Sequence, residues 1–198
     1  MRLVPYYSEG TIYFVHQSAK DFLLRNASND IFPSGIRDIH YTIFSRSLQA
    51  MSRTLRRDVY SLSAPGTSID QVKQPDPDPL AAVRYSCLYW GDHLLNCNKE
   101  DTINNLKDGG LVYQFLSTSY IYWLEALSLI KSLPDSIIIM LKLENQLQVS
   151  YTTIFKNITS NSLTNLNKAN KNPDLYAFIY DARRFAVFNR SIIKQAPL

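Results

Sequence analysis

Three side chains able to share a proton lie close together in the run Thr11-Ile12-Tyr13-Phe14-Val15-His16-Gln17-Ser18-Ala19-Lys20-Asp21-Phe22-Leu23-Leu24: His16, Ser18 and Asp21. A hydroxyl, an imidazole and a carboxylate are the types a nucleophilic hydrolase uses. That chemistry also needs the hydroxyl presented at a sharp turn, a base in reach of it and donors for an oxyanion. Here no nucleophile elbow and no oxyanion donors are identifiable, so no turnover is expected and no residue is assigned a catalytic role. A second candidate pair is His93 with Cys97 four positions on. Zinc takes three or four ligands and no second Cys/His pair exists in the sequence, so no metal site is assigned and His93 reads as an ordinary helix-surface histidine.

The elements that must position His16 are a strand and the helix that follows it. Ile12, Phe14 and His16 share one strand face by the period of two, which sends the imidazole to the apolar side. From Gln17 the spacing turns helical, with Ala19, Phe22 and Leu23 on one stripe. Ser18 can cap that helix, and Asp21 falls in its first turn, where the macrodipole favours a carboxylate. A histidine held there can sense charge, although residue type alone gives the plainer reading of a hydrogen-bonded structural histidine.

Phe14-Val15-His16-Gln17-Ser18-Ala19-Lys20-Asp21-Phe22-Leu23 resembles the winged-helix signature of NACHT-type nucleotide switches, the signal-transduction NTPases of the STAND class, with Ala19 departing from the usual aromatic. The resemblance implies a nucleotide-sensing role for His16 alone, reaching the β-phosphate of ADP when a NACHT module is present. Tyr120-Ile121-Tyr122-Trp123-Leu124-Glu125-Ala126-Leu127-Ser128-Leu129 resembles the helical segment that follows that module in fungal incompatibility-type proteins. Asp181-Ala182-Arg183-Arg184-Phe185 and Asn189-Arg190-Ser191-Ile192-Ile193 resemble the last helix before their WD40 repeats, and Leu80 to Trp90 fits the same region.

The bulk properties agree with a folded chain. Its 198 residues are 45% hydrophobic and 19% charged, a globular composition with enough apolar mass for one or two cores. The formal charge of +4 is spread over several helices and interleaved with acids, which does not imply nucleic-acid binding. Cys87 and Cys97, about 15 Å apart on one predicted helix, are beyond disulfide reach and read as reduced thiols of a cytoplasmic protein. No run approaches the roughly 20 apolar residues a membrane span needs, and no signal peptide is evident. The triplets at Asn26, Asn157 and Asn189 read as chance matches to a glycosylation site. Only six glycines occur and no G-x-x-x-x-G-K-(S/T) loop, so the chain is not expected to hydrolyse a nucleotide by itself.

Taken in order, Arg2 to Tyr7 and Thr11 to Val15 flank a Gly-containing connection and predict a β-hairpin. A long helix is expected from about Ile36 to Val59, with Ile36, Ile39, Ile43, Ser47, Met51 and Leu55 on its apolar stripe. Ser61 to Pro79 reads as an exposed linker, then Asp78 and Pro79 open a helix from Leu80 to about Asn96. Lys99 to Gly110 is a polar connection. Leu111 to Leu133 reads as two helices bent near Ser117-Thr118-Ser119, its aromatics packed in a core. Pro134 and Asp135 open a helix to about Val149, favoured over a buried strand at Ile137 to Leu141 by the good helix formers beyond. Lys156 to Asn172 is Asn-rich and expected to be flexible. A last helix restarts at Asn172-Pro173-Asp174 and is ended by Pro197; it carries the cleanest stripe, whose Leu175, Phe178, Ile179, Phe185 and Ile192 are the protein-interaction candidates.

The expected fold is therefore mainly α, a helical bundle or array with a short N-terminal β-hairpin, the remnant of a winged helix, and an Asn-rich flexible insert. Its divisions are 1–26, the C-terminal part of a winged-helix-like unit; 27–155, a helical domain; 156–172, the insert; and 173–198, the terminal helix before a WD40 domain. The expected function is a non-catalytic relay, in a fragment of a larger STAND protein, that couples nucleotide state to a WD40 sensor in heterokaryon incompatibility or innate-immunity-like signalling. A free-standing helical adaptor is the alternative. No cofactor is expected in this chain, with ADP or ATP implied for the parent module. Expected partners are that module and the WD40 repeats, in cis or in trans, and other proteins, but neither nucleic acid nor membrane.

Overall fold

A computed structural model describes residues 5–8, 11–14, 17–26, 32–158 other than 63 and 65, and 173–196. It is mainly helical. Two short strands, β1 (Pro5–Ser8) and β2 (Thr11–Phe14), pair antiparallel with Tyr6 opposite Tyr13 and Tyr7 opposite Ile12. Helix α1 (Gln17–Asn26) follows directly. Ser18 thus lies inside the helix rather than at its cap, Asp21 falls just beyond the first turn, and Phe22 is exposed. The expected insert at 156–172 lies outside the described residues from 159 onward.

The helical body is α2 (Ile36–Thr54), α3 (Arg84–Leu95), α4 (Lys99–Asn105), α5 (Leu111–Leu129), α6 (Leu133–Ile158), α7 (Pro173–Phe188) and α8 (Arg190–Gln195). α2 packs most extensively on α3 and α6 on α7, while α5 touches every other helix of the body. The sequence of α5 explains that central place: from Trp123 to Leu129 every residue is buried, so the helix has partners all round its C-terminal half. Trp90, Phe115 and Trp123 meet edge-on with ring centroids 5.7–6.4 Å apart. Each such ring removes roughly 150–250 Å² from water, on the order of 4–6 kcal/mol before ordering entropy is counted. Trp123 also donates its Nε1–H to the carbonyl of Cys87 at 3.0 Å, so its polar edge is matched inside the core.

Several boundaries differ from the sequence reading, each for a reason visible in the contacts. α2 ends at Thr54 rather than Val59 because Glu125 of α5 accepts the backbone N–H groups of Asp58 and Val59, both at 3.2 Å. Those donors would otherwise continue the helical ladder. The buried stripe of α2 is Phe44, Ser47, Leu48 and Met51, continued by Leu55, while Ile36 is exposed. Residues 80–83 form tight turns, so α3 begins at Arg84, although Asp78 does cap the approach by accepting the N–H of Leu80 at 2.8 Å. Lys99–Asn105 is a helix because Asn98 accepts the N–H of Asp101 at 2.8 Å.

α5 runs unbroken through Ser117-Thr118-Ser119. Ser117 and Thr118 donate back to the carbonyls of Tyr113 and Gln114, which keeps their hydroxyls satisfied within the helix. Its end is a Schellman turn, with Lys131 at φ +59° and the N–H of Ser132 on the carbonyl of Leu127 at 2.8 Å. α6 is a helix through Ile137 to Leu141, as expected, and continues to Ile158. The expected final helix is two, divided at Asn189.

The stretch from Ser61 to Pro79 is more than a linker. Leu62, Ile69 and Val72 are half-buried against the core. The N–H of Ile69 reaches the carbonyl of Gln195 at 2.7 Å. Asp78 gathers Tyr60, Leu80, Arg84 and Gln74 around one carboxylate.

Candidate functional site

The last two helices hold the predicted interaction residues, and packing divides their stripe. Leu175 and Ile179 are fully buried against the body, and Phe178 is half-buried with its ring edge-on to Tyr120. Those three therefore belong to the internal core: a stripe that α7 needs to dock on α6 and α5 is not offered to a partner. Phe185 and Ile192 remain exposed, at 39% and 62%, alongside Val187 and Phe188 at 48% and 87%, which the sequence reading did not single out. The division follows from helical geometry, since residues 185, 188 and 192 lie on the turn-to-turn row next to the buried one. His16 lies outside the described residues.

Polar contacts fix the same helices at named points. Tyr120 donates to the carbonyl of Ala182 at 2.5 Å, and Ser128 donates to the carbonyl of Ile193 at 2.5 Å. Asp108 accepts the N–H of Leu175 at 2.8 Å and so caps α7 from a distant loop. Arg183 pairs with Glu144 of α6 at 2.7 Å, with its guanidinium also 5.5 Å from the Tyr180 ring. Both partners of that ion pair are mostly enclosed, which makes it more specific in geometry than a surface pair.

Glu125 is the most deeply buried acid among the described residues, at 1% exposure. Burial pushes its carboxyl above the ordinary range, opposed by the two backbone N–H groups it accepts from Asp58 and Val59. It joins the end of α2 to α5, one turn before Ser128 joins α5 to α8.

His93 is not the surface histidine expected from its helix. It is 9% exposed, with Nδ1 at 2.9 Å from Nδ1 of His40 and Nε2 at 2.7 Å from the hydroxyl of Tyr85. Burial, then the neighbouring His40, hold it below the usual imidazole range. Tyr85, Tyr89 and His93 recur at four-residue spacing, the sequence signal that places the three on one face of α3. Cys97 and His93 do not present a joint pair of ligands: the Cys97 thiol donates to the carbonyl of His93. Burial pushes that thiol up to about 11 and the Cys87 thiol up to about 12, which suits packing rather than nucleophilic attack. Among the described residues no group of three or more His, Cys, Asp or Glu is placed to hold a metal ion, and no helix is long and apolar enough to cross a membrane.

Comparison with known proteins gives one informative match. The chain is 45% identical over 205 residues to the vegetative incompatibility protein HET-E-1 of Podospora anserina, covering 96% of this chain and 14% of that protein. It is thus related to a fungal vegetative incompatibility protein and spans a small part of that relative's length. No family model matches the chain, and no solved structure matches it significantly.

Proposed function

We propose that this chain is a non-catalytic relay segment of a NACHT-type STAND signalling protein that acts in heterokaryon incompatibility or innate-immunity-like signalling. In this reading, nucleotide exchange in a NACHT module alters contacts at His16, and the helical body conveys the change toward a WD40 sensor. The kinship with a vegetative incompatibility protein supports the biological setting, and the Phe14 to Leu23 motif supports the assignment of the hairpin and α1 to a winged helix.

The observation that carries the mechanism is the placement of Glu125 and Ser128 one turn apart on α5. Glu125 holds the end of α2, and Ser128 holds the carbonyl of Ile193 on α8. A shift of α5 would therefore be felt both after α2 and at α8, the first and last helices of the body. In a polypeptide that includes the NACHT module, replacing His16→Leu should weaken ADP retention and favour activation. Equilibrium dialysis showing unchanged ADP affinity would overturn the sensor role.

The exposure of Phe185, Phe188 and Ile192 favours a second reading, a helical adaptor that binds another protein. Solution behaviour separates the two: a monodisperse chain with cooperative unfolding supports the adaptor, and a sticky or partly folded one supports a segment lacking its neighbours.

A further inference from the structure

His40 leaves α2 and His93 leaves α3, and their rings approach across the most extensive helix pairing in the body. Their Nδ1 atoms are 2.9 Å apart and their ring centroids 5.0 Å apart. At that separation one nitrogen must carry the hydrogen and the other must offer a lone pair. The neutral pair meets this condition with either ring as donor, because Tyr85 can accept from Nε2 of His93 or donate to it. One added proton also fits: a doubly protonated His40 donates to the bare Nδ1 of His93, whose Nε2–H donates to the Tyr85 oxygen. A second proton does not fit. Both Nδ1 atoms then carry hydrogens, neither can accept, and two cations face each other at a half-buried interface.

We propose that His40 and His93 form a proton-counting clasp between α2 and α3, closed while the pair holds none or one extra proton and opened by the second. The surrounding charges do not relieve the conflict. Asp92, on α3, acts on His93 but is engaged by Lys142 of α6 at 2.5 Å. Asp38 of α2 and Asp101 of α4 act on Cys97, a turn further on. The ring of Tyr89 lies tilted against Tyr85, with centroids 4.9 Å apart. The lowered affinity of His93 for a proton fits the same geometry. Its stabilising effect is complete above the unfolded histidine value of about 6.5 and is lost as pH falls toward its depressed folded value.

The test is an NMR titration of the whole chain labelled at histidine, with the His16 signal assigned by His16→Gln. A His93 step below the ordinary histidine value is expected, together with its upward move in His40→Gln. Faster hydrogen exchange in α2 should set in at that step. A His93 step at the ordinary histidine value of about 6.5, or a His93 step with no change in α2 exchange, overturns the clasp. So does an unmoved His93 step in His40→Gln. If that variant does not fold, the wild-type steps and exchange decide alone.

Discussion

The hydroxyl of Tyr120 donates to the main-chain carbonyl of Ala182, 62 positions along the chain, and fixes α7 to α5 at a buried point. Tyr120→Phe keeps the ring contacts with Trp123, Phe178 and Phe185 and removes only that hydrogen bond. A loss of about 1 kcal/mol in urea unfolding is expected, with faster amide exchange around Ala182. A variant as stable as the parent would mean that the bond is replaced by an equivalent one.

Glu125→Gln separates hydrogen bonding from charge. The amide retains one oxygen to accept from Asp58 or Val59 and places an NH₂ group against the other, a cost on the order of 1–3 kcal/mol. The wild-type carboxyl has a raised folded value, so the stability it contributes is complete below the unfolded value of about 4.3 and is lost as pH rises through the folded one. The deficit of Glu125→Gln should thus be largest near pH 4 and narrow toward neutrality. Unfolding midpoints from pH 4 to 8 that run parallel for the two proteins would contradict this.

At Gly91, α3 passes close against Ile139 of α6. A Cβ built there would stand 2.7 Å from Cγ2 of Ile139, closer than van der Waals contact permits. Gly91→Ala should cost about 1–3 kcal/mol by overpacking. Ile139→Ala removes the obstructing methyl, so the double variant should lose less than the sum of the two single ones. Simple additivity would show that α3 moves away instead.

Much of the architecture was legible because burial follows period. The helical character of residues 36–54, 111–129 and 133–149 is written in their apolar spacing, and the internal role of Trp90 and Trp123 in their size. The end of α2 is a boundary that no local pattern carries, because it is decided by Glu125, 66 positions beyond Val59. The sequence pattern shows one interaction stripe, whereas packing divides it: Leu175 and Ile179 are buried against α6 and α5 and Phe178 is half-buried, while Phe185 touches Tyr120 with one edge and is otherwise exposed, as is Ile192 on α8. His93 was misplaced for a similar reason: its partner His40 stands on another helix, and a single-helix reading cannot see it.

The bond from Ile69 to the carbonyl of Gln195 turns an otherwise open chain path into a closed circuit. Residues 61–79 are thereby fastened to the last helix as well as to the core beneath Leu62, Ile69 and Val72, so the two segments form one packed seam.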